Sequence, residues 1–334
     1  MQNASPTPER LFAAINAHHL SAAIMAAIDL EIFTAIAEGA STSEGIAARA
    51  KASPRGIRVL CDYLTVHGFL TKQDESYGLP PDSALFLDKR SPAYLGGITH
   101  FLLAPIMKDS FENLTGTVRK GATLLSEKGS MEPDHPAWIE FARCMVPMMM
   151  PAAQFMATIA GTGQPLKVLD IAAGHGMFGV SIGMHNPQAE IYACDWANVL
   201  TVAEENAAKF GVASRFHKLA GSAFDVEFGT GYDVVLFPNF FHHFDQPTCE
   251  SLMRKARAAL KPGGRAMTLE FVPNPDRVSP AVPASFALIM LAMTAAGDAY
   301  TFAEYDTMFR SAGFARSEIQ EVPYSPESLI LSYS

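Results

Sequence analysis

The densest chemical signal in this 334-residue chain is Lys167-Val-Leu-Asp170-Ile-Ala172-Ala-Gly174-His-Gly176, an apolar run that ends in an acid and then a glycine-rich turn. Such a stretch builds a nucleotide pocket at a strand tip, because residues with little or no side chain let the backbone approach a ligand. Gly174, Gly176 and Gly179 also spell GxGxxG, and Asp195 stands near the distance at which a dinucleotide fold places its ribose-binding acid. A nicotinamide cofactor is therefore open. Asp170 favours a different ligand, because an acid at the strand tip faces a pyrophosphate unfavourably but suits the ammonium and sulfonium of S-adenosylmethionine. The plain alternative is a turn that only lets a helix pack close to a strand.

In an open parallel sheet the ligand lies across the carboxyl ends of the strands, so the residues that follow each strand form the candidate set. After the first strand come Asp170, Ala172, Gly174 and Gly176. After the second comes Asp195, whose carboxylate can accept from both hydroxyls of a ribose, with Trp196 beside it. After the third, Ser222-Ala223-Phe224 offers a hydroxyl for an adenine edge and a ring for its face, although Phe224 could equally be core. After the fourth, Asn239 adds a polar group on the cofactor side, and Phe241-His242-His243 sets two imidazoles in apolar surroundings. A histidine titrates near ~6.5 in model peptides, so it is mostly neutral at pH 7 and able to take a proton from an attacking hydroxyl. Met145 and Met149, from the run Met145 to Met150, are candidate walls for an irregular apolar substrate, alongside Phe241 and His243; ordinary core packing is the competing reading.

Positioning these residues takes a sheet with helices on both faces. From Gln164-Pro165 onward, strands expected at 167–171, 190–194, 215–219, 233–237 and 265–272 alternate with helices at 178–185, 200–210, 247–260 and 301–312. Residues 317–322 and 327–333 have no helix between them and should pair antiparallel. Ahead of this domain, residues 11–38 carry apolar side chains at helical spacing, Gly39 closes the run, and Ser41-Thr-Ser43-Glu44 opens another helix. A further helix starts at Ser53-Pro54 and runs to Gly68, followed by two short strands around a polar turn. That order is a winged helix. The reading divides the chain into a winged-helix domain at 1–95, a helical connector contributing to the substrate pocket at 96–160, broken at Pro105, Pro133, Pro136, Pro147 and Pro151, and a nucleotide-binding domain at 161–334.

A winged helix invites a DNA-binding reading, and the basic residues decide against it. Only Arg55 and Arg58 stand on the third helix, opposed by Asp62, and the net charge of −9 works against attraction to polyanions. Its apolar remainder suits burial against a second subunit. With 49% hydrophobic and 18% charged residues the chain should bury a large core. The apolar clusters at 101–107 and 285–294 are too short to span a bilayer, and the start lacks a signal-peptide pattern, so cytoplasmic residence without membrane or nucleic-acid partners is expected. The four cysteines, scattered without CxxC spacing, indicate neither a disulfide framework nor a zinc site.

Taken together, these motifs resemble the class I S-adenosylmethionine-dependent methyltransferases, specifically the plant-type small-molecule O-methyltransferases and their bacterial relatives. The resemblance covers nearly the whole chain: the amino-terminal winged helix used for dimerisation, Phe141-Ala-Arg-Cys-Met145, the Asp170 to Gly176 loop, and Leu260-Lys-Pro-Gly-Gly264. It implies a homodimer, S-adenosylmethionine as cofactor, no metal, and a small hydroxylated aromatic or apolar metabolite as methyl acceptor. It also implies that Asp195 is the ribose acid, that His242 is the catalytic base, and that Glu270 orients that base. The chain departs from the family at four places. His242-His243-Phe244 stands for His-Asp-Trp, Ser222 replaces an acid in the adenine loop, and Ala299 occupies the position of a second supporting glutamate; alanines also replace two glycines in the donor loop. Methylation of nitrogen, sulfur or carbon on the same scaffold, and a ligand-sensing transcription regulator, are the alternative functions.

Overall fold

The computed structural model describes residues 6–125 and 136–334, which form two compact units divided after Pro105. The segment expected as a connector, 96–160, is shared between them.

The first unit holds α1 (Glu9–Asp29), α2 (Ile32–Ala37), α3 (Ser43–Ala50), α4 (Pro54–Val66), β1 (Thr71–Gln73), β2 (Ser76–Gly78), α5 (Pro81–Phe86) and α6 (Ile98–Leu102). The single helical run expected over 11–38 is two helices, because Glu31 turns left-handed at φ 51° and breaks the ladder. Thr42 caps α3 by accepting from the Gly45 amide at 3.2 Å, and Ser53 caps α4 from Gly56 at 3.4 Å with Pro54 in the first turn. Ile32, Phe33, Ile46, Ile57, Cys61 and Leu64 form the core. The β1–β2 hairpin pairs Thr71 with Gly78. On α4, Arg58 is tied to Asp62 at 3.0 Å, so one of that helix's two arginines is already partnered. Helix α1 is long and apolar enough to cross a membrane by length and composition alone, with a mean hydropathy of 1.5, and it is largely uncovered. Its Leu11, Phe12 and Ile15 are all more than half exposed.

The second unit begins within α7 (Pro105–Glu112), whose first residue belongs to the first unit, and continues with α8 (Leu114–Lys120), α9 (Pro136–Cys144) and α10 (Val146–Ala160). Pro105 and Pro136 open helices, Pro147 sits in a first turn, and Pro151, expected as a break, lies inside α10; Pro133 falls outside the described residues. Then follow β3 (Leu166–Ile171), α11 (Met177–His185), β4 (Ala189–Asp195), α12 (Ala197–Lys209), β5 (Phe216–Ala220), β6 (Tyr232–Pro238), α13 (Gln246–Ala259), β7 (Leu260–Glu270), α14 (Ala281–Met293), α15 (Phe302–Ser311), β8 (Arg316–Glu321) and β9 (Ser328–Tyr333). The seven strands lie in the order β5-β4-β3-β6-β7-β9-β8. All neighbours are parallel except β9, which is antiparallel to both β7 and β8 and pairs Ser328 with Glu270. The last four residues of β3 and the last five of β6 are buried in succession, as strands covered on both faces must be. Strand β7 takes in the Lys261-Pro-Gly-Gly264 segment expected ahead of it and stops at Glu270 rather than Val272, which puts that carboxylate at the strand tip.

The third glycine of the GxGxxG pattern, Gly179, serves packing. A Cβ there would lie 2.6 Å from Cγ2 of Ile191 and 3.0 Å from Oδ2 of Asp170, so α11 approaches β3 and β4 only because the side chain is missing. Gly179→Ala is expected to cost ~1–3 kcal/mol by overpacking. Thermal unfolding should fall by roughly 2–4 °C for each kcal/mol in a unit of this size. An unchanged melting temperature would show that α11 can shift without loss.

Candidate active site

The turn after β3 is built from backbone that side chains resist. Ala172, Gly174 and Gly176 all take positive φ, 55°, 56° and 72°, and a Cβ on Gly176 would stand 2.8 Å from the Cβ of Ala203. Alanine at Ala172 therefore accepts a left-handed conformation, at a cost of ~1–3 kcal/mol, to keep the turn. His175 holds the start of α11: its Nδ1 accepts from the Met177 amide at 3.0 Å, and burial pushes the imidazole down to about 4, so the ring is neutral.

Asp170 is not where the charge argument put it. Its side chain is fully buried, Oδ2 accepts from the Gly179 amide at 2.9 Å, and it does not line the cleft. Burial pushes it up to about 8, with the Gly179 hydrogen bond opposing and Asp195 adding repulsion. Asp170 thus supports the turn from below, leaving Oδ1 buried and unpartnered. Asp170 sits near the end of β3 with its side chain turned toward α11.

Asp195 lies at the end of β4 in the cleft wall. Its Oδ2 accepts from the Gly174 amide at 2.8 Å and Oδ1 from the Trp196 amide at 2.7 Å, which ties the tips of β3 and β4 together. Burial raises it to about 6 while both amides oppose the rise. Each oxygen retains acceptor capacity toward the cleft. That cleft, about 430 Å³, is lined by Ala172, Asp195, Trp196, Ser222, Ala223, Phe224, Phe240, His243 and Phe244, among others. Phe224 is 41% exposed and meets Phe244 edge-on at 5.2 Å, so it is a wall rather than core. Ser222 Oγ accepts from the Phe224 amide at 3.2 Å. Lys255 on α13, which no motif marked, donates to the carbonyls of Ala223 at 3.0 Å and Phe224 at 2.9 Å.

Beyond β6 the backbone turns through Asn239 at φ 54° into a short 3-10 turn, Phe241–His243. Its amides converge on Glu270. Oε1 accepts from Phe240 at 3.0 Å, Phe241 at 2.8 Å and His242 at 3.3 Å, and Oε2 meets His242 Nδ1 at 2.6 Å. Glu270 is wholly buried and His242 is 5% exposed. A carboxylate that faces Nδ1 fixes the proton there, so Nε2 is the bare nitrogen of His242. Phe286 of α14 packs edge-on against this ring at 4.9 Å.

His243 turns to the cleft instead, edge-on to Trp138 at 6.0 Å. Its Nδ1 is buried without a partner, and burial, reinforced by His242, pushes the imidazole well below its ordinary value. Phe241, expected as a substrate wall, is core: fully buried, 4.4 Å from Phe237 and packed toward Tyr305 and Phe309. Met149 reaches the site, its Sδ 3.7 Å from Asn239 Nδ2, and Met145 lies buried one turn earlier. Ala299 is buried and carries no carboxylate; its carbonyl accepts from Arg277 at 3.3 Å. No group of three or more metal-ligating side chains occurs among the described residues.

This geometry agrees with what the chain is similar to. The O-methyltransferase domain family matches residues 153–315 and the O-methyltransferase dimerisation domain family matches residues 12–89. A protein of Nostoc punctiforme, crystallised as a candidate O-methyltransferase, is 49% identical, with a TM-score of 0.95 over 99% of this chain and 100% of that one. The 3-hydroxy-5-methyl-1-naphthoate 3-O-methyltransferase of Streptomyces sahachiroi is 25% identical over 90% of this chain and 87% of its own. Human N-acetylserotonin methyltransferase, solved in complex with SAM, shares the fold with a TM-score of 0.84 at 19% identity over 100% and 99% of the two chains. Matches over both parts of the chain, together with a 49% identical relative that covers it end to end, make this protein a member of the S-adenosylmethionine-dependent O-methyltransferase family.

Proposed function

We propose that this enzyme methylates a hydroxyl of a small aromatic metabolite, with His242 as general base and Glu270 as the residue that orients it. The observation that carries this reading is the buried Glu270–His242 pair, which leaves Nε2 as the proton acceptor. When bound, S-adenosylmethionine supplies an electrophilic methyl group on a sulfonium. The residues present suit it: the side-chain-free turn at Gly174 and Gly176 admits its amino-acid end, Asp195 accepts from its ribose, and Ser222, Ala223, Phe224 and Trp196 surround its base; Asn239, expected on the cofactor side, is outside the cleft wall and donates to Met149 Sδ. His242 takes the hydroxyl proton as the oxygen attacks, and Glu270 stabilises the resulting imidazolium. Phe240, Phe244, Met149 and Trp138 keep the surroundings apolar, where aligned reactants and excluded water lower the barrier.

We assign the exposed apolar face of α1 to a second copy of the chain, forming a homodimer through the first unit. The match to a dimerisation family over residues 12–89 supports this. Four unpaired thiols and a cofactor made inside the cell support a cytoplasmic enzyme.

Three measurements test these statements. With labelled S-adenosylmethionine and a hydroxynaphthoate, wild type should yield the methyl ether, and His242→Gln should lower kcat by ~10²–10⁴. Glu270→Gln should do nearly the same with donor affinity retained, because its amide turns Nδ1 into an acceptor and moves the proton to Nε2; full activity in either variant sinks the base assignment. Donor affinity measured by calorimetry should weaken as pH falls through about 6, where Asp195 gains a proton and presents a donor to ribose hydroxyls. Asp195→Asn should bind at least about tenfold more weakly, as expected for lost hydrogen bonds to a charged group, without that pH step. Finally, Phe12→Asp with Ile15→Asp should sediment as a monomer, and an intact dimer would move the interface elsewhere.

A further inference from the structure

The turn that carries His242 has its amides on Glu270, and its carbonyls meet the loop that follows α14. Gly297 in that loop stands against the His242 backbone. A Cβ at this position would overlap the His242 carbonyl oxygen and lie 2.9 Å from the His243 carbonyl carbon. Gly297 is not among the glycines with positive φ, so the position needs glycine for space and not for backbone freedom. No neighbouring side chain could swing aside to admit a larger residue, because the atoms it would strike belong to the backbone of a turn already tied to Glu270.

The loop is itself held in place. Thr294 Oγ1 accepts from the Gly297 amide at 2.8 Å and donates to the Met290 carbonyl at 2.7 Å, while the Thr294 carbonyl accepts from the Thr123 amide at 3.0 Å. Three residues beyond Gly297, the buried Tyr300 donates its hydroxyl to the Phe244 carbonyl at 2.7 Å. Between them Arg277 holds Asp298 and the Ala299 carbonyl, each at 3.3 Å. One segment therefore grips the turn at His242 and again at Phe244, and the helix that leads into it sets Phe286 against the His242 ring.

We propose that Gly297 and Tyr300 are positioning residues for methyl transfer: the first lets the loop close on the His242 carbonyl, the second anchors the Phe244 carbonyl, and together they hold Nε2 of His242 at its working position. The inference rests on the reading of His242 as the base. Glu270 alone does not fix that position, because three amides converging on one oxygen leave the oxygen as a pivot about which the turn can tilt. Contacts on two carbonyls of the same turn remove the tilt. The stakes are set by proton transfer, which works only within hydrogen-bond reach, so that a misplacement of about 1 Å costs on the order of 10²-fold in rate.

Proton NMR on enzyme with isotope-labelled histidine reads this geometry without turnover. The Nδ1 proton shared with Glu270, identified by its loss in His242→Gln, should move in Gly297→Ala, and an unmoved resonance overturns the proposal. Kinetics with a hydroxynaphthoate test the consequence: Gly297→Ala should lower kcat by ~10–10²-fold while donor affinity, measured by calorimetry, stays at the wild-type value. In a His242→Gln background the same substitution should cost nothing further, because the group it displaces is gone. An equal loss in both backgrounds would reduce Gly297 to a structural role, and an unchanged kcat in Gly297→Ala would likewise refute the proposal. Tyr300→Phe keeps the ring and removes only the hydroxyl, so it carries the test if Gly297→Ala does not fold. It should move the same resonance and lower kcat by about tenfold, the worth of one hydrogen bond, with no added loss in the His242→Gln background; additive losses overturn the proposal there too. If the wild type does not methylate the hydroxynaphthoate, the methyl-transfer reading fails for that acceptor, whereas the resonance still decides whether Gly297 and Tyr300 set the ring.

Discussion

One buried carboxylate sets the geometry on which the rest of the site depends. Glu270 accepts three successive backbone amides on one oxygen and the His242 ring on the other, so a tight turn and an imidazole are fixed by the same group. Removing it would orphan those buried amides at ~1–3 kcal/mol apiece, which exceeds what a surface ion pair contributes. The same contacts also offset the left-handed backbone at Asn239, which initiates the turn. A buried ion pair by itself is weak evidence for stability, but a carboxylate whose lone pairs are met by amides belongs to a satisfied network and rigidifies what it touches.

Much of this architecture is written in local sequence because the sheet is covered on both faces. Strands β3, β4 and β6 read as short apolar runs, and the turns after them bear the glycines and acids that mark a parallel sheet's ligand end. What failed to show has physical causes. Helix α14 is apolar nearly all round, with Val282 and Leu288 exposed and Met290 and Met293 buried, so it carries no helical period to recognise. The break at Glu31 depends on one left-handed residue of a type that normally extends a helix. Pro151 sits inside α10, a placement that its own chemistry argues against.

Within the site, legibility follows distance along the chain. Asp195 and His242 stand out because they follow expected strands, whereas Glu270 came from the family resemblance and only the structure places it at the tip of β7. The direction of neighbouring side chains was not legible. In a 3-10 turn successive residues diverge, so Phe241 enters the core, His242 meets Glu270 and His243 faces the cleft, although the three are contiguous. Asp170 illustrates the same point, since a strand-end acid can turn under the loop as easily as over it. Lys255 had no signal at all, because helix packing brings it to the site from elsewhere in the chain.

The departures from the family pattern become intelligible once each lost group is asked what it would have done. An acid in the adenine loop would constrain that loop; here Lys255 fixes the Ala223 and Phe224 carbonyls and Ser222 fixes the Phe224 amide, so the backbone keeps its course without it. Where the family carries a glutamate, Ala299 supplies no carboxylate, and its carbonyl is held by Arg277. His243 follows the same rule, since burial and its neighbour keep it uncharged. A site that receives a cation and releases a neutral product works best when its other polar groups add no competing positive charge, and the replacements around His242 meet that condition.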